Sequence, residues 1–120
     1  MGSRKNGGGI IMSFAQLVHV DPNFEYPEIT KELRAYVLER DNELCQICGK
    51  SGSHLHHVNY KSKGGPNCAN NLITLCVDCH TGDDGIHKKL GPMAAILRSK
   101  IEFNENRFRR KLSNSYTKRI

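Results

Sequence analysis

Two cysteine pairs with the same two-residue spacing constrain this 120-residue chain more than any other feature. They are Cys45 with Cys48, and Cys76 with Cys79. This spacing lets both sulfurs of a pair turn toward one point, and four thiolates suit the tetrahedral coordination of Zn²⁺. We therefore predict a structural zinc site, whose binding free energy would help so short a chain to fold.

A disulfide framework and a redox-active pair are the competing interpretations of these cysteines. The chain has five cysteines, and an odd number argues against a pure disulfide framework. Arg4 and Lys5 are not followed by a long apolar stretch, so we expect no secretory signal and a cytoplasmic protein with reduced thiols. No run approaches the ~20 apolar residues of a membrane span, and no membrane partner is expected. The fifth cysteine, Cys68, is assigned no role.

The positive charge of the chain is concentrated near its C-terminal end. Eight of the 18 basic residues but only two of the 12 acidic ones lie in residues 98–120, so this segment carries the whole net charge of +6. A basic segment usually binds a polyanion, most often nucleic acid. A solvated helix that keeps the protein soluble also explains these charges.

Turn-forming residues and apolar periodicity divide the chain into three parts. Residues 1–29 contain three consecutive glycines and two prolines, which predict a flexible N-terminal arm. Residues 30–91 are expected to form the folded core. Residues 92–120 are expected to form a basic amphipathic helix and tail, because apolar side chains from Met93 to Leu112 fall near one helical stripe.

The core is expected to be of the α+β class. Residues 30–40 predict a helix with Thr30 as its N-cap. Residues 54–60 predict a strand, and the apolar segment 72–75 predicts a second strand or the lead into a helix near His80. The expected arrangement is a β-hairpin with a long loop, followed by a helix.

The order of these residues resembles the HNH endonuclease family. The matching residues, in chain order, are Arg40-Asp41, Cys45, Cys48-Gly49, His56-His57-Val58, Gly64-Gly65, Asn70-Asn71-Leu72, Cys76 and Cys79-His80. The resemblance covers about residues 33–90. It implies a small zinc-stapled ββα-metal core with flanking helices. It also implies a metal-dependent enzyme that hydrolyses DNA phosphodiester bonds, leaving 5′-phosphate and 3′-hydroxyl ends.

The resemblance further implies a role for each matching polar residue. His57 takes the position of the general base, and an imidazole accepts protons near neutral pH. Asn71 would tie down the loop and hold His57 in orientation. His56 and His80 take the positions of ligands to a catalytic Mg²⁺ or Mn²⁺, which makes His80 both a metal ligand and a catalytic residue.

A third ligand to the catalytic metal stays open at the sequence level. Family members often carry another histidine four residues after the one at the position of His80, but this chain has Asp84 there and His87 further on. Either residue is a candidate, although Gly82 and Gly85 argue against one continuous helix. His54 is expected to support the site indirectly or to be exposed.

DNA is the expected partner, bound mainly through its phosphate backbone. One small active site cuts one strand at a time, so a monomer should nick DNA, whereas a dimer could cut both strands. We expect a monomer or a weak dimer. Two alternatives are a non-catalytic zinc-stapled module that binds nucleic acid, and a zinc-stapled domain that binds an acidic protein.

Overall fold

The computed structural model describes residues 14–60, 64–81 and 92–117, and the structural statements below concern these residues. The elements in chain order are α1 (Phe14–Leu17), α2 (Lys31–Arg40), β1 (His54–His57), β2 (Leu72–Leu75), α3 (Val77–Thr81) and α4 (Pro92–Thr117), with a short 3₁₀ turn (Ala69–Asn71) before β2. Helices combined with a small antiparallel sheet confirm the predicted α+β class.

The two strands form a β-hairpin whose faces differ in chemistry. β1 pairs antiparallel with β2 in the register His54 to Leu75, His56 to Ile73 and His57 to Leu72. Paired residues share a face and neighbours alternate, so His54 and His56 lie on one face and His57 on the other. Because α3 follows β2 after one residue, the hairpin and α3 together give the ββα order that the resemblance implied.

Helix α2 leads into the first cysteine pair. The Thr30 hydroxyl accepts a hydrogen bond from the Leu33 N–H at 3.1 Å, which confirms Thr30 as the N-cap. The helix ends at Arg40, and the next turn places Asn42 and Glu43 in the left-handed region at φ 60° and 54°. This turn brings the chain to Cys45 within one short loop.

Helix α4 spans 26 residues and covers the core along most of its length. Leu97 and Ile101 pack with Ile73 on the hairpin, whereas Phe108 and Leu112 pack with the buried residues of α2. The predicted apolar stripe is therefore confirmed, and the helix runs five residues further than residues 92–112.

Part of the predicted flexible arm belongs to the core. Leu17 and Val20 are buried in the same cluster as the apolar residues of α2 and the C-terminal half of α4. The Tyr26 N–H donates to the Asn67 carbonyl at 2.9 Å, and the Pro22 carbonyl accepts from the Asn70 N–H at 3.0 Å. These apolar and backbone contacts join residues 17–26 of the segment predicted as an arm to the core. Residues 1–13 lie outside the described residues.

A buried ion-pair network joins α2 to α4. Arg40 is 1% exposed, and each of its five N–H groups has a partner. Nε and Nη2 donate to Asp41 at 2.8 and 2.9 Å, and Nη1 donates to Glu105 at 3.2 Å. The remaining donors reach the carbonyl groups of Ala69 and Leu72 at 2.8 and 2.7 Å. A buried guanidinium satisfied in this way fixes how the two helices meet the hairpin.

Asp41 extends this network to the sheet and to the first cysteine loop. Its carboxylate accepts from the Thr74 N–H on β2 and from the Asn104 amide on α4, both at 2.9 Å. The Asn104 amide also donates to the Gln46 side chain at 3.0 Å. One carboxylate therefore holds α2, β2 and α4 together beside the cysteine pair.

Candidate metal and active site

The four paired cysteines converge on one point. Their sulfurs all lie within 4.8 Å of one another, and Cys48 Sγ is 3.7 Å from Cys76 Sγ. Two sulfurs on one tetrahedral zinc lie about 3.8 Å apart, since a Zn–S bond is about 2.3 Å long. Gly49 closes the first pair at φ +83°, a conformation that favours glycine. Within the described residues, no other group of three or more potential ligands has its donor atoms all this close.

Backbone N–H groups surround the sulfurs and balance their negative charge. The Ile47 and Cys48 N–H groups donate to Cys45 Sγ at 3.4 and 3.5 Å, and the Cys79 N–H donates to Cys76 Sγ at 3.4 Å. Both Cys-x-x-Cys turns therefore present donors to the first sulfur of the pair. Such outer contacts hold metal-binding thiolates in place.

The pKa values of the cysteines show why the cluster favours a cation. Burial raises the pKa of Cys45, but hydrogen bonds from the backbone of Cys48, Cys76 and Ile47 outweigh it and lower this pKa to about 6. The pKa of Cys79 is raised to about 12, first by burial and then by the other three sulfurs beside it. The four thiols cannot all ionise side by side without a positive charge between them. Four thiolates around one point fit Zn²⁺.

Three imidazoles meet where β1 faces α3. His54 Nδ1 lies 3.1 Å from His80 Nδ1. The His56 ring lies with its centroid 5.3 Å from that of His80, at an interplanar angle of 78°. These nitrogens are less tightly gathered than the four sulfurs, yet the donor set fits a divalent cation that tolerates imidazole. The structure therefore brings together the two predicted ligands, His56 and His80.

The sequence offered two candidates for a third ligand to the catalytic metal. Asp84 and His87 lie outside the described residues. His54, which was expected to act indirectly or to be exposed, is half-buried and lies next to His80. Its place two residues before His56 on one strand is the sequence signal that puts both histidines on one face.

His57 lies on the opposite face of the hairpin and has a different partner. Its Nε2 is 2.8 Å from Oδ1 of Asn67. The Asn67 Nδ2 donates to the Tyr26 carbonyl at 3.1 Å, which fixes the amide with its oxygen toward His57. Nε2 therefore carries the proton, and Nδ1 is left as the ring's proton acceptor. Asn67 has no feature in the sequence that marks it as a partner of His57.

Asn71 closes the loop between the strands. Its Oδ1 accepts from the Asn59 N–H at 2.8 Å, and its Nδ2 donates to the carbonyl groups of Asn59 and Pro66 at 3.0 and 3.1 Å. Gly65 lies so close to the Asn59 carbonyl oxygen that any Cβ would clash with it. Asn71 thus acts on the loop, whereas the side-chain acceptor for His57 is Oδ1 of Asn67.

Helix α4 presents a basic face to solvent. We use this name for four exposed basic side chains of the helix: Lys100, Arg107, Arg110 and Lys111. One of them, Arg107, also donates to the Arg40 carbonyl at 3.1 Å. Phe103 lies among them with 66% of its surface exposed, and the Arg107 guanidinium sits 5.8 Å from its ring centroid. Arg109 is exposed as well, but its Nη1 donates to the Val20 carbonyl at 3.0 Å.

None of the helices in the described part of the chain has both the length and the apolar character to cross a membrane. The family model described as HNH endonuclease matches residues 45–83, which span both cysteine pairs, the hairpin and α3. Comparison with curated proteins and with solved structures gave no match.

Proposed function

We propose, from the match of residues 45–83 to the HNH endonuclease family, that this chain is a metal-dependent DNA endonuclease. The observation that carries the proposal is the meeting of His56 on β1 with His80 on α3, at 5.3 Å between ring centroids. Both histidines occupy the ligand positions of the motif. A scaffold that serves only to bind zinc has no need of imidazoles there, because the four cysteines already form a complete set.

Two metals have separate roles in this proposal. The four cysteines hold Zn²⁺, which stabilises the fold. His56 and His80 hold a catalytic divalent cation such as Mn²⁺ or Mg²⁺, which supplies positive charge to the scissile phosphate and to the leaving 3′ oxygen. We also propose a reducing compartment such as the cytoplasm, because it keeps all four thiols available for zinc.

His57 acts as the general base in the proposed reaction. Its Nδ1 accepts a proton from the attacking water, while the Nε2 proton stays on the hydrogen bond to Asn67 and keeps the ring from turning. Asn71 holds the ends of the loop next to His57, so it preserves the position of the base. The water oxygen bonds to the phosphorus and the bond to the 3′ oxygen breaks, which leaves a 5′-phosphate. The 3′ oxygen takes up a proton from solvent to become the 3′-hydroxyl, and His57 returns its proton to solvent.

The basic face of α4 supplies affinity for the DNA backbone in this proposal. Its side chains contact phosphates and therefore add little sequence preference. A monomer with one active site nicks one strand. The second candidate function is a non-catalytic nucleic-acid-binding module. The cysteine cluster and the basic face favour it, because a zinc-stapled fold and a basic surface suffice to bind nucleic acid without any catalytic histidine.

A supercoiled plasmid with added Mn²⁺ or Mg²⁺ tests the proposal. We expect wild type to convert the plasmid to open circles only when the metal is present. His57→Gln keeps a donor for Asn67 but takes up no proton at neutral pH, so we expect it to lose cleavage while it retains zinc. The matched control is His19→Ala, which removes an exposed histidine from the turn that follows α1. We expect this variant to cleave like wild type.

Three results contradict parts of the proposal. Cleavage by His57→Gln at the wild-type rate refutes the assignment of the base. Early linear product refutes nicking by a monomer. DNA binding without cleavage under either metal favours the non-catalytic module.

A further inference from the structure

We propose that His54 is a direct ligand of the catalytic metal, together with His80 and His56. This inference rests on the proposed function, because it concerns the same metal. The motif resemblance assigned His54 no such role, and the structure places its Nδ1 at 3.1 Å from the Nδ1 of His80.

The distance between the two nitrogens fits two ligands on neighbouring positions of one ion. Metal–imidazole bonds are about 2.1 Å long, so two such nitrogens lie about 3.0 Å apart at a right angle and about 3.4 Å apart in a tetrahedron. The two rings are also nearly perpendicular, at 86°, with centroids 5.3 Å apart. His54 is thus held with one nitrogen directed at the nitrogen of a proposed ligand.

The register of the hairpin explains why His54 can join this site. His54 and His56 are two residues apart on β1 and share the face that looks toward α3. Leu75, which pairs with His54, is fully buried, and this anchors the strand at that point. His54 therefore reaches the metal from the strand, whereas an extra ligand in the family usually comes from the helix.

A third imidazole changes which metals the site prefers. Mg²⁺ favours oxygen ligands and keeps much of its water, whereas Mn²⁺, Co²⁺ and Ni²⁺ accept imidazole, with affinity rising in that order. We therefore infer a site for a first-row transition ion, with Mg²⁺ bound more weakly.

Titration of the zinc-loaded protein with Co²⁺ tests this inference without relying on cleavage. The visible absorption of Co²⁺ reports binding to the histidines, and the absence of thiolate-to-cobalt charge-transfer bands shows that zinc stays in the cysteine site. Loss of an outer contact to a ligand already costs 10–100-fold in metal affinity. We therefore expect His54→Ala to lower Co²⁺ affinity by about 100-fold and His19→Ala to leave it unchanged.

His54→Gln separates a ligand from a residue that only orients His80. Glutamine can hydrogen-bond His80 but is a poor ligand for Co²⁺, so we expect it to bind as weakly as His54→Ala. His54→Asp supplies an oxygen ligand, and we expect it to raise the affinity for Mg²⁺ relative to Co²⁺ by about tenfold or more. Circular dichroism and zinc content show that each variant is folded.

The outcomes separate this inference from the proposed function. The ligand role of His54 is overturned if His54→Ala binds Co²⁺ as tightly as wild type, or if His54→Gln regains the wild-type affinity. The proposed function stays in place in that case, provided that His80→Ala abolishes Co²⁺ binding. If zinc-loaded wild type binds no Co²⁺ but still cleaves plasmid, this inference fails alone. If it neither binds Co²⁺ nor cleaves, the proposed function fails with it.

Discussion

Replacing Asp41 by asparagine should remove a large part of the stability of this protein. Each of the two carboxylate oxygens of Asp41 accepts two hydrogen bonds. Oδ1 accepts from Arg40 Nε and from Asn104, and Oδ2 accepts from Arg40 Nη2 and from the Thr74 N–H. All four partners are donors, so the amide group of Asp41→Asn faces two donors whichever way it is turned.

The loss in free energy of unfolding for Asp41→Asn follows from the number of donors that lose their acceptor. Each buried donor left without a partner costs about 1–3 kcal/mol, and removing one partner of a buried ion pair costs about 3–5 kcal/mol. We expect a loss of about 4 kcal/mol for Asp41→Asn. The total stability of such a domain is about 5–15 kcal/mol.

Glu105→Gln is the matched control, because it makes the same chemical change in the same network. Burial, and then the charge of Glu105, raise the pKa of Tyr36, so its hydroxyl stays protonated and donates to Glu105 Oε1 at 2.7 Å. A glutamine can turn its oxygen toward Arg40 and its amide toward the Tyr36 hydroxyl, which also accepts from Arg109 Nη1 at 3.3 Å. Only the Tyr36 O–H then loses its acceptor, whereas Asp41→Asn leaves two donors without one. We therefore expect Glu105→Gln to cost only about 1 kcal/mol.

Urea unfolding of the zinc-loaded proteins measures the difference. With a slope of about 1.5 kcal/mol per molar urea, a loss of 4 kcal/mol lowers the midpoint by about 2.7 M, whereas Glu105→Gln lowers it by less than about 1 M. Equal midpoints for the two variants, with zinc retained in both, would refute the argument from donor counting.

Three further outcomes follow from the structure. Cys48→Ser should lose zinc and unfold, whereas Cys68→Ser, which removes a buried thiol outside the cluster, should keep its zinc; metal content and circular dichroism distinguish them. Asn71→Ala removes three hydrogen bonds from the loop and should cost about 2–3 kcal/mol and reduce cleavage; an unchanged urea midpoint contradicts this. Reversing the charge of Lys100 and Arg110 should weaken DNA binding and lower the slope of log K against log salt by about the value expected for two phosphate contacts, whereas Lys31→Glu on α2 should leave the slope unchanged; equal slopes for all variants would mean that the face only contacts solvent.

Charge reversal is the better test of the basic face than shortening the chain. Phe108 and Leu112 are 2% and 1% exposed and pack in the core. A chain that ends before them would lose stability together with charge. Substitutions at the exposed positions Lys100 and Arg110 change mainly the electrostatics, whereas a substitution of Arg107 would also remove its hydrogen bond to the Arg40 carbonyl.

The features that depend on local spacing were predictable from the sequence. The N-cap at Thr30, the two cysteine pairs and the stripe of α4 each follow from residues a few positions apart. The meeting of His56 with His80 was reached through the family resemblance, since the 23 residues between them leave many arrangements open.

The features that depend on distant partners were not predictable. Arg40 falls on the buried face of α2, yet its partner Glu105 lies 65 residues away and looks like any polar residue of a basic helix. The hydrogen bond from His57 to Asn67, and the packing of Leu17, likewise arise only when the chain is folded. Periodicity alone does not separate a buried polar side chain from an exposed one.

Helix α3 places Cys79 and His80 next to each other on only five residues. So short a helix has little stability of its own, and its position depends on Cys79 being held with the other three cysteines. On the proposed function, a newly synthesised chain is harmless to DNA until it acquires zinc. The supply of zinc then decides when the site for the catalytic cation forms, and a cell short of zinc would accumulate an inactive precursor.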